Sequence, residues 1–255
     1  MIIISVKIYN LDAIVLKSRD MREADKILTL FSLQRGKQRV VAHGVAKPKS
    51  TKRGAVQPFC YSSLLMHKGR DLDSISQAEL KESFTELRND LDRLAFAAQM
   101  AELADGFTEE CEPNQAIFAL LLSTLHVIAK GDAELALRFF EARLLALSGF
   151  LPELDSCSEC GQPLKEAKVN FEQQLGGFVC RECISATGVK ATFNRGSLEV
   201  LKTLYRWDLS KLHQLKVSDI IRKELKGLLR AYIEYHLEKR LKTAEFLDRL
   251  YKNKY

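Results

Sequence analysis

Between Leu11 and Leu80 the apolar positions fall in short runs rich in Val, Ile, Phe and Tyr, over residues 13–18, 27–32, 37–45, 59–67 and 72–79. Turn-forming stretches separate them, at Gln34-Arg35-Gly36, Lys47-Pro48 and Gly69-Arg70. Short apolar runs between turn residues predict β-strands. Five such strands within about 70 residues make a small barrel or sandwich. A five-stranded Greek-key barrel of the OB type fits best, because the segment is basic and this fold commonly holds single-stranded nucleic acid.

After Leu80 the period becomes helical. Phe84, Leu87, Leu91, Leu94, Ala95 and Ala98 follow the three-to-four spacing of one amphipathic helix reaching Phe107. A second helix is expected after Pro113 and Asn114, carrying Ile117, Leu120, Leu121 and Leu125 and stopping at Gly131. Asp132 caps a third, which ends at Gly149. Residues 150–193 lose the period. Helices resume from Ser197 through Tyr205 and again over 218–239, where Ile221, Leu225, Leu228, Leu229, Tyr232 and His236 share a face and Arg222, Lys223, Lys226 and Arg230 lie mostly off it. The fold class is therefore α+β, an OB-type barrel over 1–80 and a helical body over 81–255 with an insertion at about 150–193.

The bulk numbers leave that picture intact. With 255 residues, 46% apolar and 28% charged, the chain resembles ordinary folded proteins. The apolar opening, Met1 to Ile4 with Val6 and Ile8, is far shorter than the roughly 20 residues that cross a bilayer, so a cytoplasmic protein without a membrane segment is expected. Charge adds more. The net +6 divides into +7 over residues 1–80, −8 over 81–156 and +7 over 157–255. Two basic segments flanking an acidic one suggest an anionic polymer as partner, with nucleic acid the first candidate.

Cys157-x2-Cys160 and Cys180-x2-Cys183, separated by 19 residues, have the spacing of a four-thiolate zinc site. The turn Gln173-Gln174-Leu175-Gly176-Gly177 would fold the second pair onto the first. Four thiolates fill a tetrahedral shell and leave no position for water, so the expected Zn2+ is structural. The alternatives are two disulfides, which a cytosolic compartment disfavours, and a redox CxxC pair. A zinc deaminase would need H-x-E and P-C-x-x-C, whereas Ser156 and Val179 precede the two pairs. Cys60 and Cys111 read as ordinary packing thiols. There is no G-x4-G-K-[ST] loop and no H-E-x-x-H helix, and the five histidines are scattered. A non-enzymatic role is expected.

The basic residues of the first segment cluster in Arg35-Gly36-Lys37-Gln38-Arg39, then Lys47-Pro48-Lys49 and Lys52-Arg53. On a strand Lys37 and Arg39 share a face and would track neighbouring phosphates. The loop from Lys47 to Arg53 reads as a mobile cationic arm. Phe31, Phe59 and Tyr61 belong to the same barrel and offer rings for base stacking or for the core.

Taken together, Ala13-Ile14-Val15-Leu16-Lys17-Ser18-Arg19, Glu23-Ala24-Asp25 before Leu30-Phe31, Gly36, Ala42-x-Gly44, Gln57-Pro58-Phe59, Gly69-Arg70-Asp71-Leu72 and Gly149-Phe150-Leu151-Pro152-x-Leu154-Asp155-x-Cys157-x2-Cys160-Gly161 resemble the bacterial RecO family of recombination mediators. The likeness runs through most of the chain; only the first eight residues stand outside it. It implies an OB barrel, a helical body and an inserted zinc knuckle. It also implies binding of single- and double-stranded DNA, annealing of complementary strands, and action with RecR to help RecA replace single-strand binding protein at the nucleoid. Arg19 joins Arg35, Lys37, Arg39, Lys47, Lys49, Lys52 and Arg53 as expected DNA contacts. Some members lack the cysteines, which implies that zinc is not essential to activity. Docking of the acidic C-terminal tail of single-strand binding protein points to Leu137-Arg138-Phe139-Phe140-Glu141, with Arg138 and then Arg143 as contacts. At helical spacing Glu134 and Glu141 can instead pair with Arg138. The alternatives are an adaptor that mainly binds proteins and a zinc-ribbon factor acting on RNA.

Overall fold

Strand β1 (Ile8–Asp20) pairs along its first half with β4 (Tyr61–His67) and along its second half with β2 (Lys26–Ser32), a division marked by a register shift between Val15 and Lys17. One extra residue there bends the strand and lets the sheet curl. β2 continues antiparallel to β3 (Gly36–Ala42), which meets β5 (Asp73–Glu82) in parallel at Val40 and Val41. β5 returns antiparallel to β4, closing a barrel of order β1-β2-β3-β5-β4. The computed structural model describes residues 7–187 and 192–252, so Met1 to Ile4 lie outside the described residues.

Alternation fills the barrel. Leu11, Ala13, Val15, Leu28, Leu30, Val40, Ala42, Leu64, Met66 and Ile75 point inward and are almost fully buried, and Val45 and Val56 from the β3–β4 connection plug one end. Ile14, Leu16 and Phe31 point the other way yet are also buried, so part of the outer surface is covered. Two helices supply that cover, α2 (Leu91–Phe107) beside β1 and α3 (Gln115–Lys130), whose Phe118 ring lies 5.9 Å from those of Phe31 and Tyr61. Phe31 is fully buried and Phe59 is 7% exposed, so these two rings belong to the core; Tyr61 is half-buried, edge-on to Phe118 with Lys81 over its ring.

Two boundaries differ from the sequence reading. β5 runs on to Glu82, and the expected single helix is broken into α1 (Thr85–Arg88) and α2, because Asp90 leaves the helical conformation and its carboxylate caps the N–H groups of Asp92 and Arg93. Barrel and α1 to α3 form one compact unit through Ala129; Lys130 onward forms the second.

In the second unit α4 (Ala133–Leu147) is capped by Asp132 as expected and is buried nearly all round, Arg138 and Glu141 included, as a central helix is. It packs on α6 (Arg195–Arg206) and α7 (Asp219–Leu237). The insertion contains a three-stranded sheet, β6 (Lys168–Glu172) between β7 (Gly177–Val179) and β8 (Thr192–Asn194), followed in chain order after β7 by α5 (Arg181–Thr187). A 3-10 turn (Leu209–Gln214) and α8 (Lys242–Lys252) complete it.

Candidate metal centre and nucleic-acid interface

The first cysteine pair sits on a tight knuckle. Cys157 N–H donates to Gln162 O at 2.8 Å, Gly161 N–H donates to Cys157 O at 2.8 Å, and Gly161 adopts φ +72°, a region costly for other residues. The second pair straddles the start of α5, where Ile184 N–H reaches Cys180 O. The turn before β7 brings the pairs together, as the sequence predicts: Gly176 has φ +62°, and a Cβ on Gly177 would stand 2.2 Å from Ser158 Oγ. Phe171 and Phe178 pack edge-on to each other, and Phe171 also meets Tyr232 of α7.

All four Sγ atoms lie within 4.8 Å of one another, and Cys160 and Cys180 are separated by 3.8 Å. A metal with bonds of about 2.3 Å to four tetrahedral sulfurs requires sulfur separations of about 3.8 Å, whereas a disulfide needs about 2.05 Å. The donor set fits a tetrahedral metal ion. Its electrostatics agree. Burial raises the Cys157 pKa, but N–H groups of Cys160, Cys180 and Glu159 outweigh it and bring the thiol down to about 6. The Cys183 thiol is pushed up by the sulfurs of Cys180 and Cys160. Crowded thiolates of this kind need a central cation to stand together.

The expected cationic residues of the barrel fall into two groups. Lys37 is only 12% exposed at its side chain; its Nζ donates to Asp105 O at 2.5 Å and lies 3.3 Å from Asp105 Oδ1. Asp105 also binds Lys17 at 2.5 Å. Arg39 shares the Lys37 face, as strand alternation requires, and pairs with Glu110 at 3.2 Å. Residues 110–112 lie along the Gly36–Lys37 end of β3, beyond its short pairing with β5: Cys111 N–H donates to Lys37 O, and a Cβ on Gly36 would strike Glu112 O, whereas Arg39 and Glu110 themselves stay exposed. Lys37 is therefore an internal ion-pair partner and not the phosphate-tracking residue the sequence suggests.

The other group faces water. Arg19, Lys47, Lys49 and Arg53 are exposed, and Arg35 stacks over Tyr9 at 3.7 Å with its residue exposed. Lys52 is half-buried and donates to Ile75 O at 2.9 Å. The segment is not the free arm expected. Successive turns run from Lys47 O to Ser50 N–H, Ser50 O to Arg53 N–H and Lys52 O to Ala55 N–H, and Ala55 and Val56 anchor it in the barrel. Sequence reading missed the neighbouring Arg22 and His43, which flank Lys47 on an open cleft. The signal was present in Glu23-Ala24-Asp25 and Ala42-x-Gly44, two short motifs that meet there.

On α4, Arg138 is 3% exposed with Nη1 2.9 Å from Glu141 Oε2, itself fully buried. The other expected pairing partner, Glu134, binds Arg222 at 3.3 Å. A guanidinium so enclosed does not present itself to a peptide carboxylate. Arg143 is half-buried, stacks over Phe139 at 5.4 Å and donates to Tyr205 O.

Comparison with known proteins agrees with this architecture. A family model described as Recombination protein O N terminal matches residues 6–84, and one described as Recombination protein O C terminal matches residues 88–245. The DNA repair protein RecO of Desulforamulus reducens is 62% identical over 248 residues, 97% of each chain. That of Pelotomaculum thermopropionicum is 46% identical over 96% of this chain and 95% of its own. That of Desulforudis audaxviator is 42% identical over 96% and 98%. None of the helices among the described residues is long and apolar enough to cross a membrane. With both family models matched in order and near-complete coverage of relatives this similar, the chain belongs to the RecO family of DNA repair proteins.

Proposed function

We propose that this protein is a non-enzymatic mediator that binds single- and double-stranded DNA, anneals complementary strands and, together with RecR, helps RecA displace single-strand binding protein. One observation carries the reading: on a closed OB-type barrel, the β3–β4 segment exposes Lys47, Lys49 and Arg53 with no ion-pair partner among the described residues. Cations held on a fixed turn series contact phosphates without first breaking a salt bridge, and each contact releases counterions from the strand. Arg19, Arg35 and Lys52 extend the same surface; Arg39 is exposed but paired with Glu110, and Lys37 supports the surface from inside. Neutralising two phosphate backbones removes the repulsion that opposes pairing. That work requires no nucleotide hydrolysis, in keeping with a sequence that lacks a phosphate-binding loop.

In this reading the ion at the four cysteines is structural zinc, held with no open position. The acidic tail of single-strand binding protein docks on the helical body, where Arg143 is nearer to solvent than Arg138. The protein acts in the cytoplasm at the nucleoid. A strand-annealing assay tests the function: labelled complementary oligonucleotides should pair many times faster with the protein, without ATP, and the acceleration should fade with added salt. An adaptor would bind the tail peptide yet leave the annealing rate unchanged, which is the result that contradicts the proposal.

A further inference from the structure

The two short motifs at the β1–β2 turn and the end of β3 converge on a cleft of about 570 Å³, lined by Arg22, Glu23, Asp25, His43, Gly44 and Lys47 among others. Its scaffold is built from hydrogen bonds. Asp25 Oδ1 accepts from Gly44 N–H at 2.8 Å, and Asp25 Oδ2 lies 2.8 Å from His43 Nδ1. Ala46 N–H donates to Ala24 O, and Lys47 N–H returns to Gly44 O. Gly44 adopts φ +66°, with the position of its absent Cβ 3.7 Å from the Lys47 stem, so the lysine is laid along the turn. The backbone of the β1–β2 turn also closes on itself, between Met21 N–H and Asp25 O.

This arrangement fixes the chemistry of the imidazole. Asp25 engages Nδ1, the side chain of His43 is 62% exposed, and Nε2 remains for an outside group. With Nδ1 turned to a carboxylate, Nε2 of a neutral imidazole is an acceptor and repels an anion, whereas an imidazole that receives an anion donates from both nitrogens. Arg22 and Lys47 line the same cleft and supply fixed positive charge. Asp25 is satisfied by the Gly44 N–H and His43, which leaves Glu23 as the remaining acid of the lining.

We infer that this cleft is a phosphate subsite for a nucleic-acid strand, in which Arg22 and Lys47 hold the phosphate and His43, oriented by Asp25, takes up a proton as the phosphate binds. The inference rests on the DNA-binding reading above and adds to it a defined pocket and a proton coupled to occupancy. The groups that face His43 are Asp25, Arg22 and Glu23 from the β1–β2 turn and Lys47 from its own connection.

Fluorescence anisotropy with the full chain and a short single-stranded oligonucleotide tests it. For the parent, affinity should weaken severalfold as pH rises from about 6 to about 8, since a histidine must then be protonated to receive the anion. The His43→Gln protein should lose that dependence, and a protein carrying Arg22→Gln with Lys47→Gln should show a salt slope lower by about one unit. Repeating the titration with a 5′-phosphorylated strand separates the sources: tighter binding by the parent alone assigns the subsite to a strand terminus, equal binding to internal phosphates. Variants that keep the parental pH profile and salt slope overturn the subsite while leaving DNA binding intact. A parent that binds no DNA overturns both.

Discussion

Asp105 shows how one side chain decides what a nearby lysine can do. Burial raises its pKa, but Lys17 and Lys37 outweigh that and hold it below the usual carboxylate range. A lowered folded-state pKa contributes stability that is present above the unfolded value, near 4, and lost as pH falls through the folded one. Replacing Asp105 with Asn should therefore lower stability at neutral pH by about 1–2 kcal/mol, since a largely buried Lys37 loses its partner. It should also reduce the acid-side loss seen in the parent, as urea unfolding at several pH values would show; equal curves for both proteins would contradict the pairing. Sequence reading placed Lys37 and Arg39 on one face correctly. It had no way to see that Asp105 and Glu110, about 70 positions later, pair with them, because periodicity reports a side chain's direction and not what lies opposite it.

Among the elements, the four-cysteine insertion was the most legible, since ligand spacing is a local property. Its three-stranded sheet was not. β7 and β8 are three residues each, too short to show alternation, and β8 lies beyond the second cysteine pair. What ties the insertion to the helices is also long-range: Lys202 and Arg206 of α6 hold Asp155, and Glu224 of α7 accepts from Asn194 N–H and Ser197 Oγ. α8 was not anticipated either; its Asp248 is secured by Lys226 and Arg230 of α7, which the sequence places only off the apolar face of that helix. The metal should matter most within this element. The parent should contain about one zinc per chain; Cys157→Ser should contain little and melt several degrees lower, because metal binding is part of the folding free energy. Barrel-dependent DNA affinity should hardly change. A zinc-free variant that melts like the parent would show that the thiolate cluster contributes little.

At the scale of the molecule, the charge division of the sequence becomes a division of labour within the first unit. Acidic residues after Glu82 do not merely separate two basic segments; Asp105 and Glu110 neutralise Lys17, Lys37 and Arg39 of the barrel itself. In the proposed reading the cations that act on a strand are those on the β3–β4 turns and their neighbours. Five strands, their order of magnitude in length and the α+β class were all readable from alternation and turn residues. The ordering of the turns was not, because the segment from Lys47 to Gly54 has no apolar residue of its own and is anchored by Ala55 and Val56 just beyond. The central claim is that this ordered cationic surface is where DNA is held. It is tested most directly by the salt dependence of single-stranded DNA affinity for a protein carrying Lys47→Gln, Lys49→Gln and Arg53→Gln. Loss of three phosphate contacts predicts weaker binding to all sequences alike and a log–log slope lower by about two units. A slope equal to the parent's would contradict it.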